Sequence, residues 1–398
     1  MKQHVLFSFP RRLGVPGIGH TAWCQVSQLV RQGFAVHLVC GSLERPVKGL
    51  ASLRQTMKLR LAGGLIGHVK LSYRLLGPRA LQRHDQIAAG VLRQISRRHA
   101  VVVHAWPGGA LHTMQVARDL GAASLLERPN AHTAYAFEAV ASEYDRLGMS
   151  SPAGHSHTAD PVRLEQEEAE FAAADRIACP SPFVRKTFLD RGFTPERLAL
   201  TSYGYDPERL PKHREPRGES MRFAFIGSAE PRKGLHFALR AWRAIEDKRG
   251  ATFTIVGGML PGYEQALGDL LTQPGVKYLG HQNDVAVVLG RTDFLVLPSI
   301  EEGSAIVTYE ARAAGCGLVV SEAAGARCDH EVHGLVHPVG DVDALTAHLR
   351  MLINQPDTAD ALIAESTRTG HRWNWFNAGT ELAAVLRSMS TELTEVFA

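Results

Sequence analysis

Short runs of almost entirely apolar residues recur along this chain, each closed by glycine, proline or a polar turn, with stretches of helical length between them. His4–Phe9, Ala35–Cys40, Val101–Ala105, Ser124–Glu127, Arg176–Pro180 and Leu198–Tyr203 form one series. Phe223–Gly227, Thr252–Val256, Val276–Leu279, Phe294–Leu297 and Leu318–Val320 form a second. Such runs are too short for helices and lack the alternation of a strand with one wet face. They read as strands covered on both sides, the position strands take in a parallel sheet flanked by helices. The chain is therefore expected to be α/β, opening as a strand, a Gly/Pro-rich loop (Leu13–Gly19), a helix (Thr21–Gln32) and a second strand. Between the two series lies Pro207–Gly218, PERLPKHREPRG, whose proline and charge mark a linker. The expected division is 1–207, 208–370 and a C-terminal helical piece, 371–398. With 398 residues, 45% of them hydrophobic, the chain has apolar material for two cores.

Several function classes are disfavoured by what the chain lacks. It has no apolar run of about 18 residues, and the first residues, MKQHVLFSFPRRLG, make a poor secretory signal, so a cytoplasmic location is expected. Its five cysteines are odd in number and scattered without a CxxC pair, which favours buried thiols over disulfides or zinc; no metal is expected. Charge is uneven: residues 1–128 carry eighteen Lys and Arg against four acids. The density peaks between Arg45 and Arg83, where the basic residues interleave with leucines. Such a cationic amphipathic segment suits an anionic membrane face or an acidic glycan, with a solvated helix as the plain alternative. Nucleic acid is not expected as a partner, because aromatic residues are few there.

The chemistry concentrates in Pro298–Gly325. A buried strand ends at Pro298, a loop carries Glu302 and Gly303, and Ser304 is placed to cap a helix through Glu310 that stops at Gly315. In an open parallel sheet ligands sit beyond the carboxyl ends of strands, where helix N-termini offer unpaired N–H groups. Glu302 and Glu310 are thus candidates to face a ligand, or else charges favoured by the helix start. A second loop, Gly227-Ser-Ala-Glu-Pro-Arg-Lys-Gly234, also leaves a strand and enters a helix, bringing Arg232 and Lys233 to a place suited to a diphosphate. It lacks Walker spacing, and the first glycine loop, with Gly17 and Gly19, lacks GxGxxG. His132, shortly after a strand end, is a candidate active-site group or an interdomain histidine. His155, His157 and Asp160 sit in a small-residue loop poorly suited to metal, and Asp329, His330 and His333 fit a turn around Gly334. Neither G-x-S-x-G nor HExxH is present, so hydrolase readings gain nothing.

Taken together, PSIEEGSAIVTYEARAAGCGLVVSEAAG, GSAEPRKG, VKYLGHQNDVAVVLGRTDFLVLPS and HGLVHPVGDVDAL resemble the glycosyltransferases of family 4, retaining enzymes of the two-domain GT-B fold. The N-terminal half is similar in outline only. The resemblance implies that Lys233 binds a donor diphosphate, that Glu302 contacts the donor sugar, that Glu310 holds the ribose, and that amides of Gly303, Ser304, Ala305 and Ile306 face sugar and phosphate. It places His132 near the transferred sugar and sends the C-terminal helix back onto the first domain. It implies a nucleotide-sugar substrate, UDP- or GDP-linked, no cofactor or metal, and a glycan, lipid-linked or small-molecule acceptor. The chain departs from the family at Ser228, where an arginine usually stands; Arg232 either takes its place or diphosphate binding is weakened. A degenerate nucleotide-sugar-binding scaffold is the alternative.

Overall fold

The computed structural model describes residues 2–57, 73–152 and 155–396. Strands β1 (His4–Leu13), β2 (Ala35–Leu43), β3 (Ser52–Gln55), β4 (Val101–Ala105), β5 (Ser124–Glu127), β6 (Arg176–Cys179) and β7 (Leu198–Leu200) build one sheet in the order 3-2-1-4-5-6-7. Strands β8 (Arg222–Ile226), β9 (Thr252–Val256), β10 (Val276–Tyr278), β11 (Phe294–Leu297), β12 (Gly317–Ser321) and β13 (Gly334–His337) build the other, in the order 10-9-8-11-12-13. Every recorded pairing is parallel. The continuous apolar runs are explained by this: β4, β5 and β11 are buried at every position.

The sheet changes between Leu200 and Arg222, a stretch that brackets the proline-rich segment. We call the two sheets with their helices the first and second domains. The first core has two faces, one under the Tyr73–Ser96 and Leu111–Asp119 helices and the other under the Ile18–Arg31 helix. The C-terminal helix, Trp375–Val396, returns to this second face, where Leu382, Ala383, Leu386 and Met389 bury against the core of β1 and β2. Gly379 allows the crossing: a Cβ there would stand 2.3 Å from Gln28 Cβ.

Two chain segments pass between the domains, and they pair with each other. Tyr205 N–H donates to Trp373 O (3.0 Å) and Trp375 N–H to Tyr205 O (3.2 Å). Gly204 has no room for a side chain, since a Cβ would lie 2.4 Å from the Asn374 carbonyl carbon. Tyr203, Tyr205, Tyr309 and Trp375 pack around this crossing. Trp373 and Asn374, expected in the terminal helix, lie before it in the crossing segment, where Asn374 forms an isolated bridge with Tyr205.

Candidate functional site

In each sheet the strand order reverses once, between β1 and β4 in the first and between β8 and β11 in the second. These are the points at which chain connections diverge and leave a crevice beyond the strand ends. The ends of all four strands and the loops leaving them line one cavity of about 600 Å³ between the domains: Pro10 within β1 and Gly17 after it, Trp106 after β4, Gly227, Arg232 and Lys233 after β8, and Glu302–Ile306 after β11.

The second-domain wall is held by close contacts. Gly234, at φ 70°, ends the turn that carries Arg232 and Lys233, and a Cβ on it would lie 1.9 Å from Pro298 O. The phosphate loop and the glutamate loop therefore touch. Lys233 Nζ pairs with Glu302 Oε1, and Arg232 Nη1 lies 3.2 Å from Glu302 Oε2. Arg232 also donates to Glu230 Oε1 (3.0 and 3.1 Å) and to the main-chain oxygen of Glu301 (2.9 Å). Burial opposes charge on this guanidinium, yet Glu302, Glu301 and Glu230 outweigh it and raise its pKa above the arginine range. Ser228 is exposed and adds no cation. Glu310 stands 3.4 Å from Arg209 of the linker; burial raises its carboxyl, and Arg209 opposes the shift.

The structure revises the start of the helix that carries Glu310. The helix is Ile306–Ala313 and its cap is Ala305, not Ser304. The Ser304 hydroxyl is 2.6 Å from the Tyr309 hydroxyl and donates to Gly325 O (2.9 Å), bracing the loop from inside. The Ala305 amide donates to Ala324 O, so it is not spare for a ligand.

On the first-domain side, Gly17 lines the cavity and begins the Ile18–Arg31 helix without a side-chain cap to compete for its first-turn amides. Gly19 is buried behind it, where a Cβ would lie 2.4 Å from Arg12 O. His132 is not among the residues lining the cavity. It caps the Thr133–Arg146 helix, Nδ1 accepting from Ala134 N–H at 3.3 Å, with its ring packed by Phe171, Phe188 and Phe193. Burial, then Arg128 and Arg191, push its pKa down to about 3. The segment just before it reaches the cavity instead. Pro129 and Asn130 line it, and Pro129 O comes so close to Gly303 that a Cβ there would stand 1.6 Å away.

Sequence reasoning missed Glu301, which is fully buried. It accepts from the Ala131 N–H of the first domain (2.9 Å) and lies 3.2 Å from His157 Nε2. Burial opposes its ionisation, but His157 and Arg232 overcome this and hold it at about 2. His155 likewise reaches Glu230 at 3.0 Å, so both loop histidines face carboxylates across the interface. The turn residues behave as expected, Asp329 N–H donating to His333 Nδ1 (3.1 Å) and Val336 N–H to His330 Nδ1 (3.0 Å). All five cysteines are free and four are buried. Of the basic segment 45–83, residues 58–72, with Lys58, Arg60 and Lys70, lie outside the described residues.

Residues 220–355 match the family described as Glycosyl transferases group 1. Over those residues the second domain is similar to the group 1 glycosyltransferases. It is 21% identical over 227 residues to the O-antigen chain mannosyltransferase B of Escherichia coli, an alignment covering 55% of each chain. The chain spans about half the length of the curated relatives it matches. Among solved structures, sucrose-phosphate synthase from Thermosynechococcus elongatus superposes with a TM-score of 0.67 at 16% identity, over 98% of this chain and all of that one. Anabaena Alr3699/HepE in complex with UDP and glucose superposes at 0.61 and 16% identity, over 97% of this chain and all of the other. These likenesses show the fold, the two-sheet GT-B arrangement with a C-terminal helix returning to the first domain.

Proposed function

We propose that the protein is a retaining glycosyltransferase that moves a sugar from a nucleoside-diphosphate donor to a glycan, lipid-linked or small-molecule acceptor. The observation that carries this is the meeting of Lys233, Arg232 and Glu302 at the reversal point of the second sheet, facing the glycine loop of the first across one cavity. In this reading residues 1–207 hold the acceptor, 208–370 the donor, and 371–398 tie the two together. Lys233 and Arg232 stabilise charge growing on the departing diphosphate, the contribution that preorganised donors make in a water-poor site. Glu302 releases Lys233 to the phosphate and turns to the sugar hydroxyls, while Glu310 takes the ribose. A second cavity of about 510 Å³ adjoins Glu310, with Asn283 and Val285 on its wall, and gives the base a place to extend. The donor classes that fit are UDP- and GDP-sugars; the Anabaena neighbour was solved with UDP and glucose. His132 serves the acceptor side from behind the wall, as part of the segment that places Pro129 and Asn130.

No helix of the described residues is long and apolar enough to cross a membrane. We place the protein in the cytoplasm, with the basic segment 45–83 meeting an anionic membrane face; flotation with anionic and neutral liposomes tests this, and no binding to either refutes it. The central test is calorimetric titration of UDP, GDP, ADP and their sugar conjugates. One nucleotide is expected to bind selectively, and Lys233→Ala to weaken it about a hundredfold, as the loss of charge-assisted bonds to a diphosphate predicts. Absence of binding to all of them refutes the transferase; binding without turnover across an acceptor panel establishes the scaffold alternative.

A further inference from the structure

Among the described residues, three histidine–carboxylate pairs cross the interface between the domains, and two of them lead to the arginine of the phosphate loop. His155 and His157 precede the Pro161–Ala173 helix of the first domain. His155 Nε2 is 3.0 Å from Glu230 Oε2, and His157 Nε2 is 3.2 Å from Glu301 Oε2. On the far side of the same two residues, Glu230 Oε1 accepts from Arg232 Nε (3.1 Å) and Nη2 (3.0 Å), and Glu301 accepts from Arg232 Nη1 through its main-chain oxygen (2.9 Å). The third pair, His236 with Glu143 at 2.9 Å, joins the Leu235–Arg243 and Thr133–Arg146 helices across the same interface. It makes no recorded hydrogen bond or ion pair to Arg232.

Charge balance gives the two loop histidines a task. Three carboxylates, Glu230, Glu301 and Glu302, surround two fixed cations, Arg232 and Lys233, and a diphosphate would add further negative charge. Glu230 and Glu301 are 6% and 0% exposed, so water screens them little and each needs a donor on every side. Arg232 supplies donors from the second domain, and His155, His157 and the Ala131 amide of the first domain reach the other side. We propose that His155 and His157 are positioning residues of the donor site: held against Glu230 and Glu301, they fix the Arg232 guanidinium for the diphosphate, so that the first domain completes a site whose phosphate ligands all belong to the second. This rests on the donor-site reading above. His157 borders the cavity, but in this assignment both histidines act on Arg232 through the carboxylates.

Full-length protein titrated with UDP, GDP and ADP and with the matching monophosphates tests the assignment, the base that binds supplying the pair. The His155→Ala/His157→Ala variant is expected to lose about tenfold in diphosphate affinity, as for a misplaced charge-assisted donor, and to keep its monophosphate affinity. His155→Gln/His157→Gln, which retains a donor near each Nε2 position, should recover most of the loss. In an Arg232→Ala background the histidine changes should add nothing, because all three residues act as one unit. His236→Ala should preserve the preference for the diphosphate. Equal losses for both phosphates, full additivity with Arg232→Ala, or the same loss from His236→Ala would each overturn the assignment and leave the donor site standing. Wild-type protein that bound none of the three diphosphates would overturn the donor site, and the assignment with it.

Discussion

The two walls of the cleft are built on different plans. The second-domain wall is a tight cluster in which Arg232, Lys233, Glu302 and the buried Glu230 and Glu301 satisfy one another, with Gly234 pressed against Pro298. The first-domain wall mixes apolar surface and an open glycine, Phe9, Pro10, Trp106 and Gly17, with the polar and charged Arg128, Asn130, His157, Arg163 and Glu167 spread over separate segments. A chemically constant ligand part, such as a diphosphate, rewards a preorganised wall. Under the proposed function the acceptor lies against the first wall, whose mixed lining from several segments singles out no one ligand chemistry, and this makes it less legible than the donor.

That contrast can be broken by experiment. Glu302→Gln removes the charge that occupies Lys233 while preserving shape, so transfer should fall about a hundredfold or more while nucleoside diphosphate affinity holds or tightens. Parallel loss of both would mean that Glu302 is only a prop for the loop. Gly303→Ala should act next most strongly, since its Cβ would stand 1.6 Å from Pro129 O and push the walls apart. About 1–3 kcal/mol of stability should go, seen in thermal melts, together with roughly tenfold in turnover.

His132→Asn sharpens the comparison by asking whether a group behind the first wall does chemistry. Its pKa is about 3 in the folded chain against an ordinary 6.5, so the unfolded chain takes up the proton first as pH falls. Its contribution is complete above pH 6.5 and is lost towards pH 3, and asparagine, which caps helices without titrating, should remove about 2 kcal/mol of that acid dependence. A hundredfold loss of turnover with an unaltered stability profile would instead put the imidazole at the reacting sugar. Gly17→Ala should matter least. No atom lies within 4 Å of its added Cβ, leaving only backbone strain at φ 80° and about 1 kcal/mol of stability. Diphosphate affinity should stay within about twofold.

Much of the fold was legible because strands buried on both faces leave an unmistakable apolar run. The strands that escaped notice are at the edges: β3, Ser52–Gln55, is largely exposed, and β13 pairs only with β12. β1 continues past Pro10 to Leu13 because its register shifts between Phe9 and Arg12, where a missing donor is tolerated. The second-domain wall was readable because its members are contiguous, GSAEPRKG in one loop and EEGSAI in another. Ser304 was misassigned as a cap because sequence shows the right residue type but not Tyr309 and Gly325 competing for its hydroxyl. The pairing of Glu301 and the loop histidines could not be read locally; it arises only when positions 75 (His155 and Glu230) and 144 (His157 and Glu301) residues apart in sequence come together.

The return of the Trp375–Val396 helix to the first domain has a consequence during synthesis. One face of the first sheet, with Phe7 and Leu38, is closed by Leu382, Leu386 and Met389, which the ribosome makes only after the whole second domain. The usual order, in which the earlier domain is finished first, is therefore inverted here. The nascent first domain waits with an apolar face uncovered while its neighbour folds, and a chaperone that shields such a face has most to offer this protein in that interval.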